Sequence, residues 1–169
     1  MNEERIIKEM KKLETKIDHK FNDISLLAKA MKSEKIDVSN SGKNHREYSN
    51  EAMATVGDAI LKAVIADRLF RESPDITKGK LTAAKKCLEN NETLHSIDCG
   101  EGIINYAFNE KHFHNDLNVP EQEKVVSKGH DAYIEAIVGG IYYDSNFEIT
   151  KQWIYDYLYP LLVKYKVEQ

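Results

Sequence analysis

Residues 50–61 read Asn50-Glu51-Ala52-Met53-Ala54-Thr55-Val56-Gly57-Asp58-Ala59-Ile60-Leu61, and the apolar run continues through Ala63, Val64, Ile65 and Ala66. The spacing has the 3.6-residue period of a helix and predicts one long helix from about Glu47 to Phe70. It stops at Glu72-Ser73-Pro74, because proline disfavours helix in the residue before it. Glu51 and Asp58 are seven residues apart, so they share a helical face about two turns from each other. Asp58 lies between Gly57 and an apolar run, which predicts partial burial. A buried carboxylate needs a hydrogen bond, a charged partner or a metal. Asp58 therefore reads either as a structural acid bonded to another helix or as a site residue. Gly57 inside the helix costs about 1 kcal/mol relative to alanine, and the compensating gain is close approach of a second helix.

Helical periodicity dominates on both sides. Residues 2–17 place Ile6, Ile7, Met10, Leu13 and Ile17 on one stripe, and Ile24 to Met31 forms a shorter helix. The polar stretch Lys32 to Arg46 reads as a loop. A helix over about 78–97 is capped by Asp75 or Thr77, and Gly100 and Gly102 end it before a short helix near 103–108. Pro120, with Glu121 and Glu123 behind it, predicts a helix start that runs to Tyr143. The last helix covers about 147–165, with a kink at Tyr159-Pro160. No strand, repeat or second domain is expected, so residues 1–169 read as one all-α helix bundle.

Composition narrows the function classes. The 169 residues carry 24 Lys+Arg against 28 Asp+Glu, a formal net charge of -4, which argues against a basic coat but leaves room for a local basic face. Cys87 and Cys99 fit no zinc or redox spacing and read as reduced thiols, Cys87 as a small core residue. No apolar run approaches the roughly 20 residues of a membrane span, and the N-terminus shows no signal-peptide core. A cytoplasmic protein with no membrane partner is the expectation.

A second acid pair lies in His130-Asp131-Ala132-Tyr133-Ile134-Glu135, ahead of Ala136-Ile137-Val138-Gly139-Gly140. Asp131 and Glu135 are four apart and share a face. Two helices that each bring two aligned acids can form a four-carboxylate pocket suited to Mg²⁺, which prefers oxygen ligands. Such pairs are also common on solvated helices. Lys78, Lys85 and Lys86 are candidates for phosphate contact, and Asn90 or Asn91 for sugar or metal-bound water, against the alternative of an ordinary solvated face. His112-Phe113-His114 is weak as a metal pair, and no HExxH, P-loop or GxSxG pattern is present.

Asn50-Glu51 followed by Gly57-Asp58-Ala59-Ile60-Leu61 resembles the signature of the ribonuclease III family, usually NERLEFLGDAVL. Three further blocks are similar to family segments and occur in the family's order. They are Phe21 to Met31, then Gly79-Lys80-Leu81-Thr82 with Leu88 to Leu94, then Glu135 to Ser145. The resemblance implies an all-helical domain that forms a homodimer through the signature helix. It further implies cleavage of double-stranded RNA with Mg²⁺, or Mn²⁺, held by carboxylates, leaving 5′-phosphate and 3′-hydroxyl ends. On that mapping Asp58 and Glu135 match two of four principal metal-site acids, and Glu51 matches the first signature Glu. Lys85, Lys86 and Asn91 become the candidates for contacting RNA.

This chain departs from the pattern at Ala54 and Ala132, where the family has acids, and at Thr55 and Lys78. Asp131 is rotated roughly 100° from the position of Ala132. Either Asp131 and Glu51 substitute through shifted geometry, or cleavage is lost. The chain resembles the stand-alone members without a double-stranded-RNA-binding domain. The leading expectation is a metal-dependent endoribonuclease acting on double-stranded or structured RNA. The runner-up is a degenerate domain that binds structured RNA or a ribonucleoprotein without cutting, and a plain helical interaction module comes third.

Overall fold

Asn2 opens the first helix by accepting a hydrogen bond from the Glu4 N–H, and α1 (Glu3–Lys16) buries Met10 and Leu13, with Ile17 buried just past its end. The computed structural model describes residues 1–125 and 132–167, with the backbone alone at Asn40. Asp23 caps α2 (Ile24–Met31) in the same way, and Leu27, Ala30 and Met31 are buried.

The expected loop after Lys32 is a β-hairpin. β1 (Lys35–Asn40) pairs antiparallel with β2 (Lys43–Tyr48), Lys35 opposite Tyr48 and Asn40 opposite Lys43. Ser41 and Gly42 both have positive φ, 52° and 76°, the turn geometry that matches the twist of a two-residue hairpin. Polar composition hides this ribbon, since only Ile36 and Val38 supply the alternation of a half-buried strand. The all-α expectation holds apart from this small sheet.

α3 (Glu51–Glu72) starts after the hairpin rather than at Glu47. Asn50 precedes it but does not cap it. Its buried side-chain amide donates to the Ala30 carbonyl at 2.9 Å, tying the start of α3 to the last turn of α2. The helix expected over 78–97 is two helices, α4 (Lys78–Glu89) and α5 (Asn91–Gly100). Asn90 divides them. Its extended backbone breaks the first helix, its Nδ2 donates to the Lys86 carbonyl, and its Oδ1 accepts from the Thr93 N–H to cap the second. Thr77 caps α4 as expected. A short 3₁₀ turn, Ile103–Tyr106, follows Gly102, whose φ is +71°.

Pro120 opens only a 3₁₀ turn, Glu121–Glu123, because the backbone is extended again at Lys124. The expected helix from Pro120 to Tyr143 is therefore shorter, and α6 (Tyr133–Asp144) begins at Tyr133. The final helical pattern is divided into α7 (Phe147–Trp153), a π-helical turn over Ile154–Leu158, and α8 (Tyr159–Tyr165). Pro160 has no N–H to give its preceding turn, and the widened turn absorbs the defect where a kink was expected. Cys87 is partly buried rather than a core residue, Cys99 is exposed, and both are free thiols.

Nearly every side chain of α6 from Tyr133 to Ile141 is buried, and this helix packs against α3 and α2. The α3–α6 crossing is backbone on backbone. A Cβ on Gly57 would collide with the Glu135 carbonyl and stand 2.9 Å from the Gly139 nitrogen, and one on Gly139 would collide with the Met53 carbonyl. Trp153 fixes the far end by donating its indole N–H to the Ile17 carbonyl at 2.8 Å. Among the described residues no helix is long and apolar enough to cross a membrane.

Two glycine substitutions separate packing from propensity. Gly57→Ala is expected to destabilise the protein by about 3 kcal/mol or more, since two helix backbones must part. Gly79→Ala, where a Cβ meets nothing within 4 Å, is expected to stabilise by about 0.5–1 kcal/mol. Urea denaturation of the two variants measures both.

Candidate metal centre between two helices

The glycine contact determines which side chains meet. Asp58 follows Gly57 on α3, and Glu135 donates its backbone carbonyl to the contact from the first turn of α6. The two carboxyl groups are hydrogen-bonded to each other. Burial, chiefly, and the neighbouring Asp58 push the Glu135 carboxyl up to about 7, against a partial opposing effect of Lys62. Burial and a neighbouring acid both disfavour the Glu135 anion, so Glu135 keeps its proton to much higher pH than an exposed glutamate.

An open cavity of about 580 Å³ lies in front of this pair, lined by Glu47, Glu51, Ala52, Ala54, Thr55, Asp58, Ala132 and Glu135. Glu51 thus faces the same space as Asp58, as the seven-residue spacing implies. It stands apart from the pair, and no three His, Cys, Asp or Glu among the described residues converge closely enough to hold a metal together. Ala54 and Ala132 both line the wall, at the positions where the sequence comparison with ribonuclease III signatures expects acids. Asp131 lies outside the described residues.

Three side chains at or beside this pair escape a reading of the sequence. Lys62, one turn beyond Asp58, places its Nζ 3.0 Å from Asp58 Oδ2. The spacing of four residues could have flagged it. Glu89 reaches the same charges from α4, and burial pushes its carboxyl up. Nothing local distinguishes it, because its burial depends on how α4 lies on α3. Glu47 comes from the end of β2, at the position where the sequence predicts the start of a helix.

Of the candidates for RNA contact, Lys85 is already engaged, with its Nζ 3.8 Å from Glu89 Oε1. Lys86 and Asn91 are exposed at the α4–α5 junction and do not line the cavity.

The ribonuclease III domain model matches residues 51–146, which contain both acids. Ribonuclease 3 of Dehalococcoides mccartyi strain CBDB1 is 32% identical over 155 residues, covering 87% of this chain and 59% of the relative. Ribonuclease 3 of Clostridium acetobutylicum is 31% identical over 154 residues, covering 91% and 62%. The chain thus spans about three fifths of the length of these bacterial relatives. The nuclease domain of ribonuclease III from Campylobacter jejuni, in a structure concerned with flexibility in a region involved in dimer formation, superposes with a TM-score of 0.67. It is 24% identical and the match covers 91% of this chain and 96% of that one, which shows the fold.

The raised Glu135 carboxyl makes stability depend on pH. The folded state of the metal-free protein holds a proton on Glu135 that the unfolded chain gives up at its ordinary value of 4.5. Glu135 therefore favours the fold at acidic pH, and this contribution is lost as pH rises from about 4.5 to about 7. The loss is about 2–3 kcal/mol by pH 8. Glu135→Gln stays neutral throughout, so its stability in EDTA is expected to be flatter than wild type between pH 5 and 8, and higher at pH 8. Parallel urea-denaturation profiles for the two proteins would refute the assignment.

Proposed function

This chain belongs to the ribonuclease III family, and we propose that it is an endoribonuclease that cleaves double-stranded or structured RNA by metal-assisted phosphodiester hydrolysis. The observation that carries this reading is the Asp58–Glu135 pair, set by a glycine crossing on the wall of an open cavity. An acid pair hydrogen-bonded across two helices is costly to a purely structural domain, and a cation relieves it.

The donor set suits a hard divalent ion. Asp58 and Glu135 offer carboxylate oxygens, Glu51 faces the same cavity, and Mg²⁺ binds well through one or two carboxylates with waters completing its shell. Asp58 and Glu135 would hold Mg²⁺ or Mn²⁺, with Glu51, and Asp131 by its place in the sequence, as outer ligands. Bound there, the ion supplies a Lewis acid for the phosphodiester and a more acidic water. Glu135, protonated near neutrality when no ion is present, gives up that proton as the site fills. Lys86 and Asn91, with Lys85 beside them in its ion pair with Glu89, are proposed to meet the RNA backbone.

A homodimer is part of the same proposal. Ala52, Thr55, Ala59, Ala63 and Phe70 form an exposed stripe along α3, and Phe70 is 53% exposed. A two-fold pairing along this stripe covers it and sets two cavities side by side for the two strands of a duplex. A reducing, cytoplasmic setting is likewise proposed.

A second reading, a domain that binds structured RNA without cutting it, is favoured by Ala54 and Ala132 standing on the cavity wall in place of acids.

Incubation of the purified protein with a long RNA duplex and Mg²⁺ or Mn²⁺ tests the first reading. Cleavage is expected, and Glu135→Gln should lower it at least 100-fold without unfolding the protein. The doubly restored variant, Ala54→Glu with Ala132→Asp, is expected to cut faster or bind metal more tightly. Activity appearing only in the restored variant selects the second reading, and no cutting or RNA binding by either protein removes both. Light scattering checks the dimer: a wild-type mass of two chains is expected, falling to one in Ala59→Arg.

A further inference from the structure

Asp58 carries a second charge partner besides Glu135. Lys62 follows it by one turn of α3, with its Nζ 3.0 Å from Asp58 Oδ2. The same ammonium is acted on by Glu135 from α6 and by Glu89 from α4. One lysine is therefore paired with Asp58 and lies within the electrostatic reach of two further carboxyl groups on two other helices. Glu89 is nearly enclosed, and its Oε2 is buried with no hydrogen-bond partner. The two wall positions that would add negative charge are Ala54 and Ala132. Where four acids face one site, two divalent ions can be held to serve the attacking and leaving oxygens. Here the acids are fewer, and a fixed positive charge is already in place.

We propose that Lys62 is the resident cation of the Asp58–Glu135 site, standing where a second divalent ion would otherwise bind and limiting the site to one. This rests on the metal-assisted reading given above. The Lys62 side chain is 47% exposed, so its charge is held by Asp58 rather than by packing. An incoming divalent ion meets that ammonium as a like charge a few ångströms away. Removing the lysine therefore strengthens metal binding. A lysine with only a structural part would behave the other way, since its loss would leave the acids less well ordered and metal binding no tighter.

The test is Mn²⁺ titration of the purified full chain without RNA, followed by the electron paramagnetic resonance of the free ion. Wild type is expected to bind one Mn²⁺ per chain, and Glu135→Gln to lose it. Lys62→Met is expected to bind about tenfold more tightly, the scale of repulsion between a single and a double positive charge about 5 Å apart in water-like surroundings. Lys62→Arg, which keeps the charge, is expected to stay within about twofold of wild type. Circular dichroism verifies that each variant is folded. One ion bound by wild type with equal or weaker binding in Lys62→Met overturns the role of Lys62 and leaves the metal-site reading standing. Two ions per wild-type chain overturn it as well. If neither wild type nor Lys62→Met binds Mn²⁺, both readings fall together.

Discussion

Where α3 crosses α6, Gly57 faces the carbonyl of Glu135 and Gly139 faces that of Met53, so each helix meets the backbone of the other with no side chain between. Helices that pack through side chains sit 8–10 Å apart. Glycine at both sides of the crossing removes the Cβ atoms that would enforce the wider spacing. The acid next to Gly57 and the acid that supplies the opposing carbonyl are thereby brought into hydrogen-bonding contact. Asn50 and Ala30 hold the start of α3 to α2, which also packs on α6, so the crossing is braced from a third helix. The glycines are unfavourable for each helix taken alone. Close approach of the two helices offsets that cost, and it also brings the two carboxyl groups together.

Charge around the crossing is nearly balanced in the folded chain. Asp58 and Glu89 are matched by Lys62 and Lys85, and Glu135 is largely neutral at pH values below about 7. This balance lets an apolar helix such as α6 keep a glutamate in its first turn. On the proposed metal-assisted reading, a cation entering the cavity displaces the Glu135 proton, which couples metal affinity to pH through one residue. Two opposing effects meet at Glu135: burial and Asp58 favour the acid form, whereas the N-terminal end of the α6 dipole favours the anion. Burial, the largest of these effects, prevails.

Long amphipathic patterns were legible in the sequence because their signal is repeated. Met10, Leu13 and Ile17 mark α1, and the apolar run after Asp58 marks α3, whatever surrounds them. The hairpin was not legible. Its two strands face solvent on most sides, so alternation carries little information, and the Ser41-Gly42 turn resembles any polar loop. The division at Asn90 depends on one side chain bonding both ways along the chain, and a helix-period count passes straight across it. In the site, Asp58 and Glu135 stood out as acids embedded in apolar sequence. Glu89 carries no such mark: its neighbours in sequence are ordinary, and its burial arises from a helix packed against it. Lys62 fell between these cases, at a telling distance from Asp58 but in a chain with many lysines.

Ala132 links the cavity wall to the construction of its own helix. It is the N-cap residue of α6 and gives no side-chain acceptor to the free N–H groups of the first turn. An aspartate there, the residue type the ribonuclease III pattern has three positions before Glu135, would both cap the helix and face the cavity. N-cap aspartate in place of alanine is worth about 1 kcal/mol to a helix. Alanine therefore gives up a side-chain cap as well as an acid on the cavity wall. At Ala54 no cap is given up, because the position lies inside the first turn of α3 and Asn50 precedes the helix. The two losses have different structural costs but one electrostatic consequence, a site with less negative charge to hold cations. A lysine bound to Asp58 is consistent with that reduced charge. With the full set of acids it would offset a smaller share of the acidic side chains, whereas here it pairs with Asp58 and leaves Glu47, Glu51 and Glu135 as the other acids of the cavity wall.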